Sequence, residues 1–136
     1  MLRLEYLGVR SISNVVDVTN TIMLEYGQPM HAFDARYVEG DIIIRQAREG
    51  ETLVALDEVE YTLSPEDTVV ADEKKVLSIA GIMGGMESRV REDTTKVVLE
   101  VANWDPVALR KTSQRLGLRS DSSMRYEKSL DPEQCK

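Results

Sequence analysis

Ile12, Val15, Val16, Thr19, Met23 and Tyr26 recur at the spacing of one helical face, and Gly27 followed by Pro29 supplies a stop. The spacing predicts a helix from about Ser13 to Tyr26 whose apolar face is core. Gly40 then precedes Asp41-Ile42-Ile43-Ile44-Arg45, a β-branched run suited to a buried strand. Shorter strand candidates follow at 52–56, 60–63, 68–71, 76–80 and 96–101. They are parted by the turn-forming clusters Arg48-Glu49-Gly50, Ser64-Pro65-Glu66-Asp67 and Asp72-Glu73-Lys74-Lys75. Asn103-Trp104-Asp105-Pro106 opens a second helix, with Asp105 as N-cap and Pro106 at the first helical position, and Gly117 ends it. Helix, many short strands, then helix indicates an α+β fold, with mixed or antiparallel sheets in layers and flanking helices, rather than alternating βαβ units.

Met1–Leu7 reads as the tail of a helix, and Asp131-Pro132-Glu133 as a helix start with little after it. The expectation is a single domain over 1–136, excised from a longer subunit. Its 136 residues suffice for one compact core. One cysteine, Cys135, permits no intramolecular disulfide, and one histidine beside it argues against a structural zinc site. No segment has the roughly 18 apolar residues of a membrane span, and the start lacks a signal-peptide layout. The chain is therefore expected to be soluble and cytoplasmic, with no membrane partner.

A net charge of −7 argues against a general nucleic-acid binder. The segment Arg110–Lys128 runs the other way, with six basic and two acidic residues. A solvated helix face explains it, and so does a local phosphate contact within a larger complex.

Three features carry candidate chemistry. His31, the only histidine, follows a Gly/Pro turn and has an ordinary pKa suited to acid–base work, but no nucleophile motif accompanies it. Gly81, Gly84 and Gly85 permit a tight turn or a close approach to a ligand, without a nucleotide fingerprint. Glu100 interrupts the apolar run Lys96–Ala102, so it stands either at an exposed strand end or inside a pocket, where a carboxylate needs a hydrogen bond.

Several blocks occur together and in order. They are Asn14-Val15-Val16-Asp17-Val18-Thr19-Asn20, Gly27-Gln28-Pro29-Met30-His31-Ala32-Phe33-Asp34, Ile79-Ala80-Gly81-Ile82-Met83-Gly84-Gly85-Met86-Glu87-Ser88, Leu99-Glu100-Val101-Ala102 and Arg115–Glu127, followed by Asp131-Pro132. From about Arg10 onward the chain resembles the editing domain of bacterial-type phenylalanyl-tRNA synthetase beta subunits.

The resemblance implies hydrolysis of the ester of mischarged tyrosyl-tRNA(Phe), with His31 and Glu100 as the catalytic-site pair. Glu100 matches the carboxylate that recognises the phenolic hydroxyl of tyrosine. Gly84 stands where a bulky side chain would block substrate, and Arg10, Gln28, Pro29, Ser120 and Ser122 match further pocket positions. Ser120 and Ser122 replace a frequent Thr and Ala, so an extra hydroxyl enters the pocket or points away. Asn20 and Thr19 are weaker candidates, since helix packing explains them equally well. The resemblance implies no metal and no cofactor in this chain, ATP and magnesium belonging to the parent synthetase. The implied partners are the 3′ end of tRNA(Phe), the alpha subunit and the remaining beta-subunit domains of an α2β2 enzyme. A non-catalytic tRNA-binding or structural module of that subunit is the alternative, and a solvent-facing Glu100 would favour the structural one.

Overall fold

A computed structural model describes residues 2–135. Helix α1 (Leu2–Tyr6) leads into α2 (Asn14–Tyr26). Ser13 caps α2 by accepting a hydrogen bond from Val16 N (3.3 Å), and Gly27, at φ 79°, closes it with its N–H on the Met23 carbonyl. The strands are β1 (Met30–Asp34), β2 (Ile43–Gln46), β3 (Thr52–Val54), β4 (Glu60–Thr62), β5 (Thr68–Ala71), β6 (Val76–Ile79), β7 (Met83–Gly84) and β8 (Val97–Val101). Helices α3 (Pro106–Leu116) and α4 (Asp121–Tyr126) follow, and a short 3-10 turn spans Pro132–Cys135. Asp105 caps α3, with Pro106 at its start and Gly117 at its end.

Among the described residues every strand pairing is antiparallel, in three sheets: β1 with β8, the order β2-β5-β6-β7, and the β3-β4 hairpin. Isolated bridges from Phe33 to Arg89 and from Ala55 to Gly85 tie the small sheets to the larger one. Strand β6 is buried along its whole length between β5 and β7. Val69, Ala71, Val76 and Ile79 join Leu109, Leu118 and Tyr126 in the main core, while Phe33, Val70, Leu77 and Ala80 form a second cluster.

Two packing expectations are corrected. The isoleucine run is not buried: Ile44 is 53% exposed, because β2 is an edge strand paired only with β5. On α2 the buried positions are Asp17, Thr19 and Met23, whereas Ile12 and Tyr26 at the ends of the predicted stripe lie exposed. The helix packs on the narrow β1 ladder, too short to cover the whole stripe. Asp17 is drawn inward because its carboxylate accepts hydrogen bonds from Ser11 Oγ and Ile12 N, which also lower its pKa.

Asp34 fixes the end of the strand that carries His31. Its buried carboxylate accepts from Arg36 N (3.0 Å), the Arg36 guanidinium and Thr94 Oγ1 (2.7 Å), and these contacts hold its pKa far below the usual range. Thr94 belongs to the loop before β8, so the same carboxylate fastens β1 to its partner.

Candidate functional site

The ladder between β1 and β8 places His31 directly opposite Glu100. Residues opposed in this way project from the same face of a sheet. Both line a cavity of about 410 Å³, a size within the range of small-ligand sites, together with Pro29, Gly84, Ser120 and Ser122.

Packing alone holds the imidazole. It meets the Phe33 ring edge-on at 4.6 Å and 77°, and it covers Gly84 so closely that a Cβ there would collide with the ring. Gly84 is therefore needed first to seat His31, and only through it to shape the cavity. Gly84→Ala is expected to displace the imidazole and lower stability by about 1–3 kcal/mol, the usual cost of overpacking. Thermal melts check the stability, and the His31 ring proton shifts check the displacement.

The two groups titrate abnormally, in opposite directions and for one reason. Burial disfavours charge, so the His31 pKa falls to about 4 and that of Glu100 rises to about 7. At neutral pH the histidine is uncharged and Glu100 is divided between acid and carboxylate. Among the described residues, buried His31 Nε2 and Glu100 Oε2 have no hydrogen-bond partner, and neither has Ser78 Oγ, a third group on the cavity wall. Glu100 is half-buried and turned to the cavity, with Oε2 shut off from solvent, so it is not a fully solvent-facing strand end.

Other candidates sit differently. Ser120 Oγ donates to the Ile82 carbonyl (2.6 Å) and accepts from Ser123 N (3.1 Å), so this hydroxyl caps α4 and ties it to the cavity wall. Arg10 is exposed and is not among the residues lining the cavity. Gln28 is buried behind the wall, its amide donating to the carbonyls of Pro29 (3.1 Å) and Ala102 (3.0 Å). Asn20 does line the cavity, whereas Thr19 bonds back to the Val16 carbonyl within its helix. Near Gly84 the backbone is already engaged: Leu56 N donates to the Gly84 carbonyl (3.0 Å) and Gly85 N to that of Leu77 (2.8 Å).

Ser78 and Tyr126 were not singled out as site residues in the sequence. A hydroxyl inside the apolar run Val76–Ala80 was the available signal for Ser78. Tyr126 gave none beyond its place near the end of the block Arg115–Glu127. Among the described residues no group of three or more His, Cys, Asp or Glu side chains is placed to hold a metal ion, and no helix is long and apolar enough to cross a membrane.

Residues 2–136 match the B3/4 domain, and the chain belongs to that family. It is 52% identical over 135 residues to the phenylalanine-tRNA ligase beta subunit of Halalkalibacterium halodurans, covering 98% of this chain and 17% of that one. It is 50% identical to the beta subunit of Carboxydothermus hydrogenoformans, with the same coverage. The chain thus spans about 17% of the length of these curated relatives. Its fold is shared with a crystal structure of an N-terminal fragment of the Pyrococcus horikoshii phenylalanyl-tRNA synthetase beta subunit. There the TM-score is 0.56 at 19% identity, covering 81% of this chain and 43% of that one.

Proposed function

We propose that the cavity is an editing site, hydrolysing the ester between tyrosine and the terminal adenosine of tRNA(Phe). The observation that carries this reading is Glu100: a half-buried carboxyl whose inner oxygen, Oε2, is buried without a partner among the described residues, set opposite His31 in one cavity. A carboxylate accepts the hydrogen of a phenol, and the protonated acid donates to its oxygen, so Glu100 reads the hydroxyl in either state. Phenylalanine would leave that oxygen unpaired, at a cost of about 1–3 kcal/mol. A synthetic pocket shaped for phenylalanine rejects an added hydroxyl poorly, and a second site built to bond that hydroxyl supplies the missing discrimination.

In this reading water attacks the ester carbonyl and the tetrahedral intermediate collapses to free tyrosine and the ribose hydroxyl of adenosine. An activated ester mainly needs its water positioned and its oxyanion stabilised. Neutral His31 suits positioning, through a ring nitrogen that contacts the water or the adenosine. The partners are the tRNA acceptor end and, within a complete ligase, the alpha subunit and the other beta-subunit domains.

The test compares deacylation of tyrosyl- and phenylalanyl-tRNA(Phe) by the complete ligase carrying this domain. Preferential loss of tyrosine is expected, and equal rates would contradict the proposal. His31→Ala should slow editing by roughly tenfold, short of the ~10²–10⁴ lost with an essential acid–base group. Complete loss in a folded variant that still binds tRNA would instead make His31 the base.

A further inference from the structure

Ser78 carries a buried hydroxyl that the editing reading leaves unused. It is 3% exposed, lines the cavity with His31 and Glu100, and its Oγ has no hydrogen-bond partner among the described residues. On a strand buried along its whole length, such a hydroxyl costs free energy that alanine would not.

The sheet register sets this hydroxyl beneath the imidazole. Val70, Ser78 and Gly84 stand opposite one another across β5, β6 and β7, so their side-chain positions form one row on one face. Phe33 shares a core cluster with Val70 at one end of the row, His31 covers Gly84 at the other, and the two rings touch. Ser78 is the middle of the row. Gly85 N donates to the Leu77 carbonyl (2.8 Å), a bond that flanks the Ser78–Gly84 pair. This is the closer kind of opposed pair, with Cβ positions about 4.5–5.5 Å apart. The ring edge that meets this floor carries Nε2, which lies 2.4 Å from the point a Gly84 Cβ would occupy, against 3.3 Å for Nδ1. Turning the ring over exchanges Nε2 with Cε1, at 2.3 Å, so either placement keeps Nε2 on the floor.

We propose that Ser78 is a positioning residue that acts through His31, its hydroxyl donating to Nε2 so that an Nδ1–H donor is presented to the cavity. This deepens the editing reading and rests on it. The donor inventory sets the direction. A neutral imidazole has one N–H and one bare nitrogen, and a serine hydroxyl has one hydrogen. With the ring hydrogen on Nδ1, the Ser78 hydrogen meets the Nε2 lone pair and one bond serves two orphaned groups. With it on Nε2, two donors face each other and the Ser78 hydrogen has no acceptor. The two atoms stop short of a bond here, as catalytic hydrogen bonds often do until substrate tightens them. A donor at Nδ1 can bond the developing oxyanion, and a bare nitrogen cannot.

The test has two arms. His31 is the only histidine, so its ring nitrogens give one set of ¹⁵N signals. Spectra of this chain at neutral pH, with and without a non-hydrolysable amide analogue of tyrosyl-adenosine, should show the hydrogen on Nδ1, and Ser78→Ala should move it toward Nε2. In the complete ligase, Ser78→Ala should slow deacylation of the tyrosyl and phenylalanyl esters alike by roughly tenfold, the effect of one net hydrogen bond, leaving the tyrosine preference intact. Added to His31→Ala, it should slow neither further. Where Ser78→Ala does not fold, Ser78→Cys serves, its thiol being a weak donor. An Nε2–H ring in the wild type with and without the analogue, spectra that Ser78→Ala leaves alike, or additive losses in the double variant overturn the inference. A wild-type ligase with no tyrosine preference would instead mean that the editing reading itself has failed.

Discussion

Glu100→Ala is expected to bring the hydrolysis rates of the tyrosyl and phenylalanyl esters together. A hydrogen bond to a charged group contributes about 1.5–3 kcal/mol, so the tyrosyl rate should drop by roughly 10- to 150-fold. The phenylalanyl rate should hold or rise, because that substrate no longer strands a buried carboxyl. Glu100→Gln should fall between, its amide being able to donate to or accept from a phenol. Single-turnover deacylation of both esters under one set of conditions gives the comparison. A preference that survived in folded Glu100→Ala would mean that the phenol is read elsewhere.

The second large effect is a pair of opposed pH dependences that conceal one another in the unaltered chain. Glu100 titrates at about 7 when folded, against an ordinary 4.5. Between those values the folded state holds a proton that the unfolded state has lost, so this group lowers stability as pH rises, by about 3 kcal/mol in all. His31 titrates at about 4 when folded, against 6.5. Between those values the unfolded state holds the extra proton, so this group raises stability with pH by a similar amount, about 3 kcal/mol.

The windows overlap from pH 4.5 to 6.5, where the two slopes should cancel. Glu100→Gln removes the falling slope, and stability should then climb through that range. His31→Asn removes the rising one, and stability should fall from pH 4.5 to about 7. The paired carboxylates Asp17 and Asp34 have lowered folded values, so their contributions change mainly below this window. Urea unfolding at stepped pH reads the slopes directly. Slopes of the same sign in both variants would refute the opposed assignment.

The parts of the fold legible in the chain are those decided within a few residues. Ser13 and Gly27 bound α2, and Asp105, Pro106 and Gly117 bound α3, because caps are local hydrogen bonds and local backbone angles. Strand Thr68–Ala71 agrees with its prediction, being β-branched and flanked by turns. Short elements escaped. Strand β1 follows a Gly/Pro turn, β7 has two residues, and α4 has six mostly polar ones whose capping box uses Ser120 and Ser123. None is long enough to display a period.

Sequence alone determined the kinds of group available: one histidine, a glutamate within an apolar run, a cluster of glycines, and helix ends that mark themselves. Tertiary structure decided what those groups do. It left Ile44 exposed, since no local pattern states which strand will be the edge. It assigned Gly84 to the imidazole, Ser120 to a helix cap and Gln28 to the carbonyls of Pro29 and Ala102. It also set His31 against Glu100 through the β1–β8 register. Propensity and capping act over a few residues, but burial, pKa and unmet hydrogen-bonding capacity depend on partners brought from far along the chain.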